Sequence, residues 1–195
     1  MNLLPAVGVF DEIDAEVFAP LNDLLEEITI PQSQNENRKG FGRARSLVFG
    51  LRKARVTREI GLSSASRRYP EIWNEIQKIG EHLNFDYTSV YLNKNVVCNW
   101  HTDKGNVGDT VIVSFGDYIG CMLNIEGFGE VDTNCRPVKF DGKKLLHCTT
   151  ALESGTKYSL VYYTHECGFA AEGGFAEAGG VYGLVGVPKN RFTSS

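Results

Sequence analysis

The sequence predicts an α+β protein in which a run of short strands closes into a sandwich or jelly roll behind two amphipathic helices. Three observations predict it. The chain has 195 residues, enough for one domain with a full apolar core. Its first half shows two apolar stripes at helical spacing. After Asn84 the period changes to short β-type runs separated by Asn, Gly, Asp or Pro.

Asp14 to Ile28 predicts a helix, with Val17, Phe18, Leu21, Leu24 and Leu25 on one face, packed on the outside of the core. Residues 31–42 are polar, rich in Asn and Gln, and end in glycine, the composition of a connection. After Ser64-Ala65-Ser66, Pro70 suits a helix's first turn, and Ile72, Trp73, Ile76 and Ile79 form an apolar stripe that ends or kinks at Gly80. Trp73 is expected in the core and His82 at the helix end or surface. Strands are expected at Phe85 to Leu92, Val96 to Trp100, Thr110 to Phe115, Tyr118 to Ile125, Val138 to Phe140, Lys144 to Cys148 and Tyr158 to Thr164. Gly168 to Ser195 carries seven glycines before Val187 and is expected to form a loop and tail, with Phe175, Val181, Tyr182, Leu184 and Val185 able to fold back. One domain over 1–195 follows: a helical and basic support (1–84), a β core (85–165) and the Gly-rich end (166–195).

Composition limits the environment. The five cysteines, Cys98, Cys121, Cys135, Cys148 and Cys167, are odd in number and widely spaced, so neither a CxxC zinc site nor a disulfide framework is indicated. A reducing, intracellular compartment and a monomer are expected, nucleus or cytoplasm undecided. Residues 1–20 mix apolar stretches with acids and lack a basic start, unlike a signal peptide, and no apolar run is long enough to span a bilayer. No membrane association is expected. The net charge of -4 conceals a segregation: Arg38 to Arg68 holds ten Lys/Arg against the single acid Glu59. A basic stripe on an acidic protein attracts an anionic polymer. Arg43, Arg45, Arg52 and Arg55 are its candidate phosphate contacts, and the interleaved Phe41, Leu47, Val48, Phe49 and Leu51 give part of the stretch a structural role.

The chemistry is concentrated in three short stretches: His101-Thr102-Asp103, His147, and Lys157-Tyr158-Ser159. Two imidazoles and a carboxylate cap one face of an octahedral Fe(II) and leave positions open for a chelating cosubstrate and dioxygen. His101 and Asp103 alternate onto one face of a strand or strand end, and the basic residue downstream of the second His supplies charge for a far carboxylate. Apolar neighbours such as Val113, Leu123 and Val161 would exclude water from the site.

These stretches resemble the iron(II)- and 2-oxoglutarate-dependent dioxygenases, a double-stranded β-helix superfamily, over roughly Phe85 to His165. Within it they are most similar to the ten-eleven translocation 5-methylcytosine dioxygenases and the kinetoplastid J-base thymine hydroxylases. Cys98-Asn99-Trp100-His101-Thr102-Asp103-Lys104-Gly105-Asn106 looks like that group's HxDxxN segment, and Thr156-Lys157-Tyr158-Ser159-Leu160-Val161-Tyr162-Tyr163-Thr164-His165 like its T-R-x-S-L-V-F-Y-Q-H segment. The resemblance implies a double-stranded β-helix (jelly-roll, cupin-like) core with flanking N-terminal helices. It makes His101, Asp103 and His147 the iron ligands, and Lys157 and Ser159 the anchors of the 2-oxoglutarate C5 carboxylate. It makes Asn106 and His165 base-edge hydrogen-bonders, and Tyr163 the ring on which a flipped pyrimidine stacks, with DNA as the expected partner. The sequence departs from that group at Lys157, where the group has Arg, in a shorter His-to-basic spacing, and in lacking a Cys-rich zinc region. Lysine there is familiar in prolyl hydroxylases, which makes a protein side-chain hydroxylase the alternative.

Overall fold

Alternation along three central strands divides the molecule into a helix-packed face and a pocket face. The computed structural model describes residues 6–32, 45–53 and 59–165. In chain order these form β1 (Gly8–Val9), a 3-10 turn (Ala15–Phe18), α1 (Ala19–Glu26), β2 (Arg45–Lys53), β3 (Ile60–Leu62), α2 (Ser64–Arg68), α3 (Pro70–Glu81) and β4 (Ser89–Lys94). They continue with β5 (Asn106–Phe115), β6 (Tyr118–Gly120), β7 (Leu123–Ile125), β8 (Gly129–Val131), β9 (Val138–Phe140), β10 (His147–Thr149), β11 (Leu152–Gly155) and β12 (Tyr158–His165). A seven-stranded antiparallel sheet runs β1-β9-β5-β12-β4-β2-β3. A three-stranded sheet, β10-β7-β8, and the β11-β6 ribbon complete the β structure of the described residues.

On one face of the large sheet Val90, Leu92, Val111, Val113, Leu160 and Tyr162 are buried against Phe18, Leu21 and Leu25 and against Ile72, Ile76 and Ile79 of α3. Each such aliphatic side chain contributes about 1.5–3 kcal/mol on burial. Trp73 stacks on Phe49 of β2 with centroids 6.0 Å apart, and the buried Tyr162 hydroxyl donates to the Ile76 carbonyl at 2.8 Å. On the other face Val138 and Phe140 join Leu123, Ile125 and Leu145 in a second core, which closes the small sheet over the β9 and β5 side of the large one. The predicted helices and the β-rich second half are present, with His82 exposed at the end of α3.

Several boundaries differ from expectation for identifiable reasons. The first helix begins as a 3-10 turn and becomes α-helical with Pro20 in its first turn. Gly80 is next to last in α3, near the helix end as expected; a Cβ there would meet the Tyr87 hydroxyl at 2.5 Å, so glycine also permits close packing. Val96 to Trp100 is not a strand, and Val96 and Val97 are both buried, which alternation forbids. Tyr118 to Ile125 is split because Cys121 adopts a left-handed φ of 53°. Lys144 and Leu145 belong to a turn whose amides donate to the Asp141 carbonyl, so only His147 onward is strand. Ser89, not Phe85, begins β4. The basic segment contributes a hairpin, β2 and β3, that the period did not reveal. Arg43, Arg55, Arg58, Cys167 and the Gly-rich segment lie outside the described residues, as does most of the 31–42 connection.

Candidate active site

His101, Asp103 and His147 converge as the sequence expected. The chain reaches His101 by an irregular approach pinned at Cys98, whose amide donates to Thr149 Oγ1 at 2.8 Å and whose carbonyl accepts from Thr149 N at 3.1 Å. His101 and His147 then form an isolated antiparallel bridge, their amides and carbonyls exchanging 3.0 Å bonds. The imidazoles lie on the same side, centroids 4.3 Å apart. Asp103 is fixed by its own amide, which donates to the Gly142 carbonyl at 2.8 Å. His101 Nε2 lies 3.8 Å from Asp103 Oδ1 and His147 Nε2 lies 3.7 Å from Asp103 Oδ2. One ligand atom from each residue lies within 4.8 Å of the others.

Both rings are oriented by the backbone. His101 Nδ1 faces the Asn99 carbonyl at 2.7 Å and His147 Nδ1 the Leu145 carbonyl at 3.0 Å, so each Nδ1–H has an acceptor and each Nε2 lone pair faces the site. Burial holds His147 below its ordinary 6.5, favouring the neutral form that binds metal. Asn106 Nδ2 donates to Thr110 Oγ1 at 3.1 Å and approaches Asp103 Oδ2 at 3.4 Å, so the amide expected at a base edge also steadies the carboxylate. Gly142 packs tightly against the carboxylate: a Cβ there would sit 3.1 Å from Asp103 Oδ2 and 3.3 Å from Thr110 Oγ1. The donor set, two imidazole nitrogens and one carboxyl group on one side of a pocket, fits Fe(II).

One pocket connects this triad to the start of β12. Lys157, just before β12, and Ser159, Val161 and Tyr163 of β12 line it, with Tyr91 and Asn93 from β4 and Ile112 and Ser114 from β5. Leu123 and Val161 are apolar walls as expected, but Val113 faces the helix-packed core, and its neighbour Ile112 takes the expected place. Lys157 is 5 % exposed. Its ammonium donates to the Cys121 carbonyl and lies 5.0 Å over the Tyr118 ring, and no carboxylate among the described residues forms an ion pair with it. Burial lowers its pKa. A buried ammonium without an acid partner is costly, and an incoming carboxylate relieves that cost. Ser159 stands two residues on, with Asn93 Nδ2 at 3.4 Å from its hydroxyl. Tyr118 Oη is buried beside the Ser114 and Thr133 hydroxyls, with no well-formed hydrogen bond among the described residues. These groups suit the far carboxylate of 2-oxoglutarate.

The pocket opens to a mouth lined by Tyr91, His101, Asp103, Asn106, Tyr163 and His165. A groove continues from it under the β2-β3 hairpin past Arg52, Lys53 and Arg67, sharing Tyr91, Tyr163 and His165; Glu59 also lines it, and the Arg67 guanidinium donates to the Leu62 carbonyl. The structure thus brings Arg52 to the site. Arg45 it does not: Arg45 pairs with Lys94 at the opposite end of β2, and its guanidinium donates to the Ile30 carbonyl at 2.6 Å. Arg43 and Arg55 are outside the described residues. Tyr91, Asn93, Tyr118 and Gly142 escaped the sequence reading as site residues, whereas Lys53 and Arg67 fell within its basic stripe without being singled out. For Tyr91 and Asn93 a signal existed, since they alternate with the apolar Val90 and Leu92. For Gly142 there was none.

No family model and no curated protein sequence matches the chain. Solved structures do. A TET1 protein (NgTET1) in complex with 5-methylcytosine DNA matches with a TM-score of 0.57 at 14% identity, covering 82% of this chain and 72% of its own. A 2OG-Fe(II) oxygenase family protein from Burkholderia pseudomallei matches with a TM-score of 0.56 at 11% identity, covering 80% and 84%. A Trichoplax adhaerens prolyl hydroxylase in complex with a peptide of hypoxia inducible factor matches with a TM-score of 0.52 at 12% identity, covering 85% and 86%. The likeness is one of fold: with its mostly antiparallel sheet and few helices, the chain has the fold of the 2-oxoglutarate- and Fe(II)-dependent oxygenases.

Proposed function

We propose that the protein is an Fe(II)- and 2-oxoglutarate-dependent dioxygenase, built on a double-stranded β-helix core, that oxidises the 5-methyl group of a pyrimidine, 5-methylcytosine or thymine, in DNA. The observation that supports it above others is the continuity of three features in one opening: the His101, Asp103 and His147 cluster, the buried ammonium of Lys157 behind it, and the basic groove of Arg52, Lys53 and Arg67 in front. When bound, Fe(II) and 2-oxoglutarate supply the oxidation: decarboxylation to succinate consumes dioxygen, one oxygen atom passing to succinate and the other to the substrate carbon. The chain's own residues hold and exclude. His101, Asp103 and His147 hold the metal, and Lys157 with Ser159 holds the C5 carboxylate. Ile112, Leu123 and Val161 keep water from the reacting end. Asn106 steadies Asp103 and, with His165, edges the mouth where a base extruded from a duplex would enter beside Tyr163.

A protein side-chain hydroxylase, prolyl in particular, is the second reading. Lys157 in place of Arg favours it, as does the similar score of the prolyl hydroxylase neighbour. Incubation with iron, ascorbate and 2-oxoglutarate on methylated and unmethylated DNA, followed by mass spectrometry of nucleosides, tests both. The expected product is a 5-hydroxymethyl pyrimidine, absent with His101→Ala, Asp103→Ala or His147→Ala. Succinate release with a proline-containing peptide and none with DNA transfers the assignment to the second reading.

A further inference from the structure

Lys157 is held in place by a residue that does not line the pocket. β4 ends at Lys94, opposite Tyr158, and the next residue, Asn95, takes a left-handed φ of 52°. A regular antiparallel ladder would continue with Asn95 opposite Lys157, each amide donating to the other's carbonyl. Half of that pair is regular, the Asn95 amide donating to the Lys157 carbonyl at 2.9 Å. The other half is not: the Lys157 amide donates to Asn95 Oδ1 at 2.7 Å, a side-chain oxygen in place of a backbone one. Asn95 therefore takes both backbone polar groups of Lys157. On the other flank β5 ends at Phe115, also opposite Tyr158, and Gly116 turns away with a φ of 114°, where a Cβ would collide with the Thr156 carbonyl. Lys157 thus stands where both neighbouring strands leave the sheet, and Asn95 replaces the ladder there.

We propose that Asn95 is a positioning residue for the carboxylate anchor: it fixes the Lys157 backbone so that the ammonium stays in the pocket, ready for 2-oxoglutarate. This rests on the 2-oxoglutarate reading above and deepens it. A lysine needs such a clip more than an arginine does, because its ammonium is a point charge on a flexible four-carbon stem with no fork to set its direction. With the backbone fixed, the stem carries the ammonium inward to the Cys121 carbonyl. With the backbone free, the same stem lets the charge swing to water, which relieves its burial and removes it from the site. Asparagine meets both demands of the position, since it tolerates a left-handed φ and brings an acceptor. Glycine meets only the first.

The test is a double-mutant cycle on the Mn(II)-loaded protein, with 2-oxoglutarate binding read by quenching of tryptophan fluorescence, so that no turnover is needed. Asn95→Gly keeps the backbone freedom and removes the acceptor. It should weaken 2-oxoglutarate binding on the order of tenfold, the scale of losing an outer partner of a ligating group, while Mn(II) affinity and the urea midpoint stay near wild type. In a Lys157→Ala background the same change should cost nothing further, because no ammonium is left to place. Equal losses in both backgrounds, or no loss in either, overturn the role of Asn95 and leave the anchor at Lys157 standing. A glycine variant that fails to fold or loses Mn(II) also overturns it, since Asn95 then supports the scaffold as a whole. Wild-type protein that binds no 2-oxoglutarate, or Lys157→Ala protein that binds it as tightly as wild type, removes the reading of Lys157 as the anchor and this proposal with it.

Discussion

At each site histidine a backbone carbonyl decides which nitrogen would face a metal, and the same economy governs the other residues of the pocket. Asn99 and Leu145 supply those carbonyls, each two residues before its histidine, so the tautomer is written into the local turn. Lys157 obeys an electrostatic logic that yields a pH prediction. Burial sets its pKa below the ordinary 10.5, so the free protein loses this proton earlier than a solvent lysine does. A bound carboxylate favours the ammonium, so 2-oxoglutarate binding retains the proton. Its affinity should therefore be highest at neutral pH and fall as pH rises through the lowered Lys157 value. Lys157→Arg should flatten that fall, and Lys157→Ala should weaken binding by an amount on the order of 2–5 kcal/mol at neutral pH. Quenching of Trp100, which is 52 % exposed and adjacent to His101, offers a readout independent of turnover. Constant affinity across the range would place the anchor elsewhere. Gly142→Ala is the second residue-scale prediction. Its Cβ, 3.1 Å from Asp103 Oδ2, must push the carboxylate, and metal affinity should fall on the order of tenfold with the fold retained. Titration with Mn(II) by the same quenching measures it.

Among the elements, β12 explains why the site was readable in the sequence and where reading failed. Its odd positions, Ser159, Val161 and Tyr163, line the pocket and its even positions, Tyr158, Leu160 and Tyr162, enter the helix-side core. A strict period of two made both faces visible at once, and Val138–Phe140 was legible for the same reason. The basic hairpin was not legible, because β2 is half-exposed over most of its length and its charged residues masked the alternation. The irregular approach to His101 was misread as a strand since consecutive valines look like one. Arg45 is the instructive miss at the site. Charge counting cannot tell a phosphate contact from a side chain that ties β2 to the Ile30 carbonyl, and that bond is tertiary. The two faces of β12 should separate in mutagenesis. Leu160→Ala, fully buried among α3 and β5 neighbours, should cost about 2–5 kcal/mol of stability by urea unfolding without changing 2-oxoglutarate affinity. Ser159→Ala should do the reverse. Similar stability losses for both would mean that the two faces are not independent.

For the whole molecule the governing fact is that charge is segregated along the chain and only part of the basic stripe reaches the site. Ten of the twenty Lys/Arg fall between Arg38 and Arg68 in a protein of net charge -4, so an anionic polymer would be attracted chiefly by that segment. Within the described residues Arg52, Lys53 and Arg67 line the groove that leads to the mouth, whereas Arg45 is at the opposite end of its strand. If the groove tracks phosphates, log affinity for DNA should fall linearly with log salt. Each cation removed from the groove should reduce that slope by roughly 0.9 on duplex or 0.7 on single strand for every phosphate no longer neutralised. Arg52→Gln with Lys53→Gln should therefore flatten the slope, and Arg45→Gln should leave it unchanged while lowering stability through removal of the Ile30 bond. Because phosphate contacts position and base contacts specify, the groove variants should bind methylated and unmethylated DNA equally less well. His165→Ala should instead spare the slope and slow hydroxylation. Anisotropy over a salt series, run in parallel with nucleoside mass spectrometry, separates these outcomes. A slope that responds to Arg45 and ignores Arg52 and Lys53 would show that the polymer approaches from the other end of β2. The groove, the mouth and the metal would then no longer form one path.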